Sequence, residues 1–327
     1  MLLDGSLASA IDAAAAQLAA GELVAFPTET VYGLGARADR AEAVAKIFAA
    51  KGRPSDHPLI VHVTGPDRIA EFASGVPPVA QRLIDAFWPG PLTLILPRRP
   101  DAATAAAGGQ ASIGLRCPAH PVAQALLRAA ARLGVPGVAA PSANRFGRVS
   151  PTLAAHVVGE FEHGLMVLDG GPTEVGIESA IVDCSRGHPV LLRPGTLTRA
   201  QIEAAAGEAL AAPDADAPRA PGTLAAHYAP NARVRLMPAA LLHTALQVLG
   251  PEPPKLAVYS RGAPPAAARG VRYRRMPAQA AQVAHELFSV LRELDAEGAE
   301  LIWVESPPPE PEWDGVRDRL TRAAAAA

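Results

Sequence analysis

Two cations, Lys51 and Arg53, stand close together near the end of a helix-like run, in the stretch KGRPSDHPL at residues 51–59. Lys51 offers a compact point charge, whereas the guanidinium of Arg53 is a planar fork that matches phosphate oxygens. Gly52 can end the helix and the prolines stiffen the chain after it, which limits the freedom of both charges. The pair therefore suits a polyphosphate ligand. Taken alone, Lys51 could equally do no more than complement the negative end of a helix.

A second polar stretch, PTETVYGLG at residues 27–35, follows a short apolar strand predicted for residues 23–26. We expect Pro27 to end that strand, and Gly33 and Gly35 to permit the positive φ values of a loop. The loop would present two threonines, a glutamate and a tyrosine together. Because α/β proteins carry much of their chemistry on loops at strand ends, this stretch predicts the edge of an active site.

Two further polar side chains belong to predicted strands. His62 lies on a strand at residues 59–63, and Arg116 ends a strand at residues 112–116. A strand histidine is more often a hydrogen-bonded structural residue, and a strand-end arginine more often makes a surface ion pair. The guanidinium group also matches a carboxylate ligand. The residues alone leave both interpretations open.

The strand predicted at residues 138–140 leads into the stretch PSANRFG at residues 141–147. Small and amide side chains after a strand allow a nucleotide to approach the backbone. Ser142 and Asn144 could bind phosphate oxygens or a magnesium-bound water. Alternatively, they form a turn that caps the next helix.

These segments belong to a chain in which strands and helices alternate, which predicts an α/β fold. The alternation extends over residues 1–206, the predicted catalytic domain. Residues 207–231 are rich in Pro, Ala and Asp and predict a linker. The alternation resumes in residues 232–327, which predict a smaller Rossmann-like α/β domain without a visible catalytic cluster.

The composition describes a globular protein. The 327 residues are 49% hydrophobic and carry a net charge of −2, so the chain as a whole does not attract nucleic acid. The two cysteines, Cys117 and Cys184, lack the spacing of a zinc site, and we expect no metal ligands from protein side chains. No apolar run is long enough to span a bilayer, so we expect a cytoplasmic protein without a membrane partner.

Several short motifs, taken in order, resemble the YrdC/Sua5 family, the L-threonylcarbamoyladenylate synthases. They are PTETVYGLG, KGRPSDHPL, PGPLT at residues 89–93, LRCP at 115–118, APSAN at 140–144, GIES at 176–179 and LRPG at 192–195. The stretch PGTLAAHYAP at residues 221–230 and the second domain resemble the two-domain Sua5 type. The resemblance implies a YrdC-like twisted open sheet with helices around a concave basic cleft, plus the smaller C-terminal domain.

The activity implied by this resemblance is the synthesis of L-threonylcarbamoyl-AMP and pyrophosphate from L-threonine, bicarbonate or CO2, and ATP. This is the first step towards N6-threonylcarbamoyladenosine at position 37 of certain tRNAs. Implied partners are the transferase proteins that accept the intermediate, with a weak tRNA contact. Magnesium is expected on the triphosphate.

The resemblance also implies the site residues. The catalytic residues are Lys51 and Arg53. The L-threonine ligands are Thr30, His62, Arg116, Ala140 and Ser179. The ATP ligands are Arg53, His57, Ile113, Ser142, Asn144, Ser150, Arg193, His227 and Tyr228. The family more often has a threonine after the serine of GIES, where this chain has Ala180.

Two alternatives remain for function and one for the linker. A carbamoyl-adenylating module like that of hydrogenase maturation proteins would carry paired zinc cysteines, which two cysteines cannot supply. A double-stranded RNA-binding or ribosome-maturation factor would use a basic cleft and bind in a salt-dependent manner. The linker with His227 and Tyr228 is expected to fold over the active site as a lid, or else to be a passive spacer.

Overall fold

The computed structural model describes residues 1–161, 164–249, 255–262 and 271–326. The chain divides into two units, the first formed by residues 1–146 and 150–223 and the second by residues 147–149 and 224–327. The boundary after Thr223 falls inside the predicted linker. Within the first unit, Arg219 forms an ion pair with Asp56 at 2.7 Å. The part of the predicted linker before the boundary is therefore attached to the larger unit.

In its described part, the first unit contains one ten-stranded mixed sheet with helices. The strands are β1 (Leu2–Asp4), β2 (Val24–Pro27), β3 (Tyr32–Arg37), β4 (Ile60–His62), β5 (Leu92–Pro97), β6 (Ser112–Arg116), β7 (Val138–Ala139), β8 (Met166–Asp169), β9 (Ala180–Asp183) and β10 (Val190–Arg193). The helices are α1 (Ala8–Ala20), α2 (Ala41–Lys51), α3 (Pro78–Phe87), α4 (Pro121–Arg132), α5 (Ala154–Glu160) and α6 (Arg199–Ala206), with a 3-10 helix at Pro66–Glu71. The strand order is β1-β8-β2-β3-β7-β4-β6-β5-β9-β10.

The second unit is a parallel α/β domain. Its described strands are β11 (Arg233–Met237), β12 (Leu256–Ser260), β13 (Arg272–Arg275) and β14 (Leu301–Glu305), in the order β11-β14-β12-β13. Its helices are α7 (Ala239–Gln247), α8 (Ala280–Ala296) and α9 (Asp314–Ala324), with a 3-10 helix at Pro311–Trp313. The fold class predicted from the sequence, a large open sheet with helices and a smaller second α/β domain, is confirmed.

One face of the large sheet carries predicted site residues between two apolar layers. On one face, Phe26, Val138 and neighbouring side chains pack against α1 and α4. His62 lies on this face, because it is the register partner of Val138 on β7 and of Arg116 on β6. Farther along the same face, Ile60, Ile95 and Ile181 pack with Ala220. The part of the face with His62 and Arg116 therefore lies between the α1/α4 layer and the segment around Ala220.

One sequence prediction near the site is wrong. The loop is confined to residues 28–31, because β2 continues to Pro27, which pairs with Tyr32 at the start of β3. Pro27 fits because β2 pairs with β8 only as far as Ala25, so no hydrogen bond to that strand is lost. Neither Gly33 nor Gly35 has a positive φ. A Cβ on Gly35 would lie 2.8 Å from atoms of Phe26 and Val138, so this glycine allows close packing within a β-hairpin.

The ends of two helices lie beside predicted site residues. α2 ends with Lys51, since Gly52 adopts the left-handed conformation with φ 64°. α4 begins after His120, whose side chain accepts the backbone N–H of Val122. These local signals fix where the chain turns towards the site.

Candidate active site

The hairpin loop at residues 28–31 is held by its own hydroxyls and by a neighbouring loop. Thr28 Oγ1 donates to Val31 O at 2.6 Å and lies 2.8 Å from Thr30 Oγ1. The backbone N–H groups of Val175 and Gly176 donate to the carbonyls of Glu29 and Thr30 at 2.7 and 3.1 Å. This backbone is thus fixed on both sides, which holds the side chains of Glu29 and Thr30 in place.

Tyr32 connects the same hairpin to the turn after β8. Its hydroxyl donates to Gly171 O at 2.8 Å and accepts the N–H of Gly170 at 3.2 Å. Burial raises the pKa of Tyr32 above its ordinary value, so the hydroxyl remains a donor. The tyrosine that the sequence placed on an exposed loop is therefore a structural residue of the sheet.

Arg116 lies buried at the end of β6 and has partners on three elements. Nη1 donates to Thr30 Oγ1 at 2.8 Å, and Nε donates to Gly90 O at 3.3 Å. Nη2 forms an ion pair with Glu29 Oε1 at 2.7 Å. The sequence alternative of an ion pair thus holds, but the pair is buried rather than on the surface. The N–H groups of Nη2 are not aimed at the carboxylate, and within the described residues neither atom has a hydrogen-bond partner.

His62 lies beside Arg116 and is neutral. Its ring packs edge-on against Phe26, and its Nδ1 reaches no hydrogen-bond partner in the part of the chain that the structure describes. Burial and the nearby charge of Arg116 lower the pKa of His62 to about 3. A neutral imidazole at the edge of a cationic site can accept a hydrogen bond.

Ser179 connects the predicted threonine ligands to Arg193. Its Oγ lies 2.8 Å from Thr93 Oγ1, and Nη2 of Arg193 donates to Ser179 O at 2.9 Å. Nη1 of Arg193 donates to Pro221 O at 2.8 Å. Arg193 therefore joins β10, the GIES motif and Pro221 of the predicted linker.

Lys51 is buried at the end of α2 and binds the loop after β7. Its ammonium group donates to Ser142 O at 2.7 Å and to Asn144 O. Burial, and then the charge of Arg53, lower the pKa of Lys51 well below its ordinary value. Lys51 does not bind the carbonyls of its own helix end, so the helix-end alternative does not explain it. Its geometry is that of a residue that positions the 142–144 loop.

Arg53 and His57 pack around one aromatic ring. The guanidinium of Arg53 lies 5.9 Å from the ring centre of Phe146, and the His57 ring lies 5.6 Å from it. Nη2 of Arg53 donates to Pro58 O at 3.0 Å. Burial, together with the charge of Arg53, lowers the pKa of His57. Lys51 and Arg53, with the His57 ring and the 142–146 loop packed beside them, thus form one cationic cluster.

The other predicted nucleotide ligands lie in several places. Ser142 pairs with Gly33 of β3, and Asn144 Nδ2 donates to Arg145 O at 2.7 Å. Neither caps α5, whose N-cap, Leu153, makes no side-chain hydrogen bond. The Ser150 hydroxyl donates to Glu178, and the side chain of Ile113 lies in the main core.

Ala140, predicted to contact threonine, is buried on the α1/α4 face, and its N–H donates to Ile60 O at 2.9 Å. Its small side chain borders the hairpin: a Cβ on Gly33 would lie 3.2 Å from that of Ala140.

His227 and Tyr228 belong to the second unit. Tyr228 has a positive φ of 62° and is buried, with its ring stacked on Phe288 and the guanidinium of Arg319 5.3 Å from its centre. His227 Nδ1 accepts the N–H of Tyr228 at 2.8 Å. Their predicted role as nucleotide ligands stays a prediction.

The structure adds polar residues for which the sequence suggested no role. Glu29 pairs with Arg116, Thr93 with Ser179 and Glu178 with Ser150. Each stands inside a motif that resembles the family, which was the available signal. The spacing of motifs along the chain does not predict which of their buried side chains contact each other.

The described residues also bear on metals and membranes. No group of three or more His, Cys, Asp or Glu side chains is arranged to hold a metal ion there. No helix within those residues is both long and apolar enough to cross a bilayer.

Two family models together match most of the chain. The model Sua5_yciO_yrdC, described as telomere recombination, matches residues 16–195. The model Sua5_C, described as the C-terminal domain of threonylcarbamoyl-AMP synthase, matches residues 197–325.

Named relatives are similar over part or most of their length. A threonylcarbamoyl-AMP synthase of Bacillus subtilis is 47% identical over 225 residues, which cover 67% of this chain and 64% of that protein. A threonylcarbamoyl-AMP synthase of Schizosaccharomyces pombe is 34% identical over 92% of this chain and 85% of its own. The crystal structure of Sua5 from Pyrococcus abyssi complexed with L-threonine matches with a TM-score of 0.84 and 36% identity, covering 97% of this chain and 94% of that one.

Proposed function

Because the chain belongs to the Sua5/YciO/YrdC family, we propose that it forms L-threonylcarbamoyl-AMP and pyrophosphate from L-threonine, bicarbonate-derived CO2 and ATP. The relatives' names support this activity, and so does the Pyrococcus abyssi Sua5 complex with L-threonine. The product is the activated intermediate of N6-threonylcarbamoyladenosine at position 37 of tRNA.

The observation that carries the proposal is the burial of four cations in the predicted site. Lys51, Arg53, Arg116 and Arg193 are between 3% and 9% exposed. Buried cations suit small anionic ligands that enter a pocket and exclude water. A protein that binds the phosphate backbone of double-stranded RNA needs cations on its surface. The site therefore favours an enzyme for small substrates over an RNA-binding factor.

The reaction has two bond-forming steps. The α-ammonium group of L-threonine first loses a proton to solvent. The neutral amine then attacks the carbon of CO2, a C–O π pair moves onto oxygen, and the nitrogen releases a second proton to solvent to give the carbamate. A carbamate oxygen then attacks the α-phosphorus of ATP, and the bond between that phosphorus and the bridging oxygen to the β-phosphate breaks. Pyrophosphate leaves with that oxygen. Positioning and charge neutralisation supply the catalysis, so no covalent enzyme intermediate is required.

In this proposal, one group of residues binds L-threonine and the cationic cluster binds ATP. Thr30, His62 and Arg116 hold L-threonine, with Ser179 and Ala140 bordering the same region. The cationic cluster of Lys51, Arg53 and His57 faces the triphosphate, together with Ser142, Asn144 and Arg193. Magnesium belongs to the substrate as the magnesium complex of ATP.

The proposal extends to what receives the product. An acyl adenylate hydrolyses easily in water, so a transferase that accepts the threonylcarbamoyl group should follow. The expected location is the cytoplasm, where tRNA is modified.

Pyrophosphate release tests the proposal. The purified chain should release pyrophosphate from ATP only when L-threonine and bicarbonate are both present, and L-serine or L-valine should support less release. Each single omission is a control. Release that does not depend on L-threonine would contradict the proposed function.

A further inference from the structure

Glu29 is a buried carboxylate of the hairpin loop to which the proposed function gives no role. Its side chain is 6% exposed. Oε2 accepts the backbone N–H of Ala119 at 3.1 Å, and Oε1 lies 2.7 Å from Arg116 Nη2. A buried carboxylate is costly unless it is paired, and Arg116 supplies the opposite charge. Its burial inside the predicted amino-acid site calls for a functional explanation.

The pairing of Glu29 and Arg116 is incomplete. Although the two charges are close, their geometry makes no hydrogen bond, and within the described residues neither Glu29 Oε1 nor Arg116 Nη2 has another hydrogen-bond partner. Buried polar atoms are nearly always hydrogen-bonded. A strong acceptor and a strong donor thus lie side by side, and each can still bind a third group.

An α-amino acid carries the two groups that fit these atoms. A hydrogen bond places donor and acceptor about 3 Å apart, so a carboxylate bound by Arg116 brings the ammonium group on its neighbouring carbon within reach of Glu29 Oε1. Without that ammonium group, the substrate carboxylate would lie beside the Glu29 carboxylate and be repelled. The ammonium charge removes this repulsion.

We propose that Glu29 binds the α-ammonium group of the amino-acid substrate, so that Glu29 and Arg116 together select a zwitterion. This inference rests on the proposed function and deepens it, since it assigns a ligand to the nitrogen that becomes the carbamate nitrogen. A carboxylate without an amine is disfavoured by the same pair.

Binding calorimetry with L-threonine and with 2,3-dihydroxybutanoate, in which an uncharged hydroxyl replaces the ammonium group, tests this role. The wild type should bind L-threonine about ten- to a hundredfold more tightly, as expected for a charge-assisted hydrogen bond. Glu29→Gln keeps the shape and an acceptor for Ala119 but removes the charge. It should weaken L-threonine by that factor and leave the analogue unchanged or tighter. Glu22→Gln, at an exposed ion pair with Lys46, should change neither affinity.

A role of Glu29 in positioning Arg116 alone gives a different result. Glu29→Gln would then weaken both ligands equally, which would overturn the proposal. Equal binding of both ligands by the wild type would overturn it as well, without any variant having to fold. Glu29→Asp keeps the charge and should retain a preference for L-threonine. If the wild type binds no L-threonine, the proposed function itself fails, and this result is distinguishable from a loss of selectivity.

Discussion

Replacing Arg116 by lysine keeps the buried charge but removes the planar fork. In the structure, the guanidinium contacts Thr30 Oγ1 at 2.8 Å, Gly90 O at 3.3 Å and Glu29 Oε1 at 2.7 Å. A lysine ammonium can stay near Glu29 but cannot keep the contacts with Thr30 and Gly90 while also binding a substrate carboxylate. One lost charge-assisted hydrogen bond costs about 1.5 to 3 kcal/mol, which is roughly a ten- to hundredfold loss of L-threonine affinity.

Calorimetry should show this loss for L-threonine and little change for ATP in Arg116→Lys. Arg132→Lys is the matched control, because Arg132 is 70% exposed and lies 3.9 Å from Asp12 in a surface pair. Thermal unfolding checks that the variant still folds, since the buried Glu29 charge remains compensated. Unchanged L-threonine affinity, or an equal loss of both ligands, would refute the assignment of Arg116 to the substrate carboxylate.

Four further predictions concern the neighbouring groups. Arg53→Ala should weaken ATP about ten- to a hundredfold and spare L-threonine, and unchanged nucleotide affinity by calorimetry would exclude Arg53 from the site. Lys51→Met leaves two buried carbonyls without their donor and should lower the free energy of unfolding by about 2 to 5 kcal/mol; equal denaturation midpoints would contradict the positioning role. The pKa of His62, about 3 when folded and 6.5 ordinarily, makes the unfolded chain bind the extra proton between these pH values. Stability should therefore fall as the pH decreases through this range, by up to about 1.4 kcal/mol per pH unit more than in His62→Gln, and parallel pH profiles of the two proteins would argue against it. A chain ended at Thr223, the last residue of the first unit, should bind L-threonine but hold ATP more weakly. Unaltered ATP affinity would mean that the deleted part of the linker, residues 224–231, is a spacer.

Local sequence patterns were enough to locate most of the elements near the site. The strand predicted at residues 112–116 has those bounds, and the strands predicted at 59–63 and 138–140 lie at Ile60–His62 and Val138–Ala139. These are short apolar runs between turn residues, a pattern that indicates buried strands. The glycine after Lys51 correctly marked the end of α2.

The hairpin could not be predicted in the same way. In β3, the alternation of Tyr32, Leu34 and Ala36 with glycines was hidden, because a glycine usually signals a turn. Here a glycine is needed at position 35 because Phe26 and Val138 approach it closely. That approach depends on the packing of strands that are distant in sequence. The strand Arg272–Arg275 has no recognisable sequence signal either, because three of its four residues are arginines, an unusual composition for a strand.

The site residues show the same division between local and distant information. The motifs located Arg116, Lys51 and Ser179, but their partners are remote in sequence. Lys51 binds carbonyls 91 and 93 residues away, and the Thr30 hydroxyl lies 86 residues from Arg116. Which residue positions a loop and which one faces a ligand depends on these contacts, and the spacing of motifs does not contain them.

The central claim is that one site joins L-threonine, CO2 and the α-phosphate of ATP. Its most direct test is the release of pyrophosphate by the purified chain with ATP and magnesium, measured with and without L-threonine and bicarbonate. Release should occur only when both are present. Arg116→Lys should release no pyrophosphate at L-threonine concentrations that saturate neither the wild type nor the variant. Pyrophosphate release that proceeds equally without L-threonine, or none with all substrates present, would contradict it.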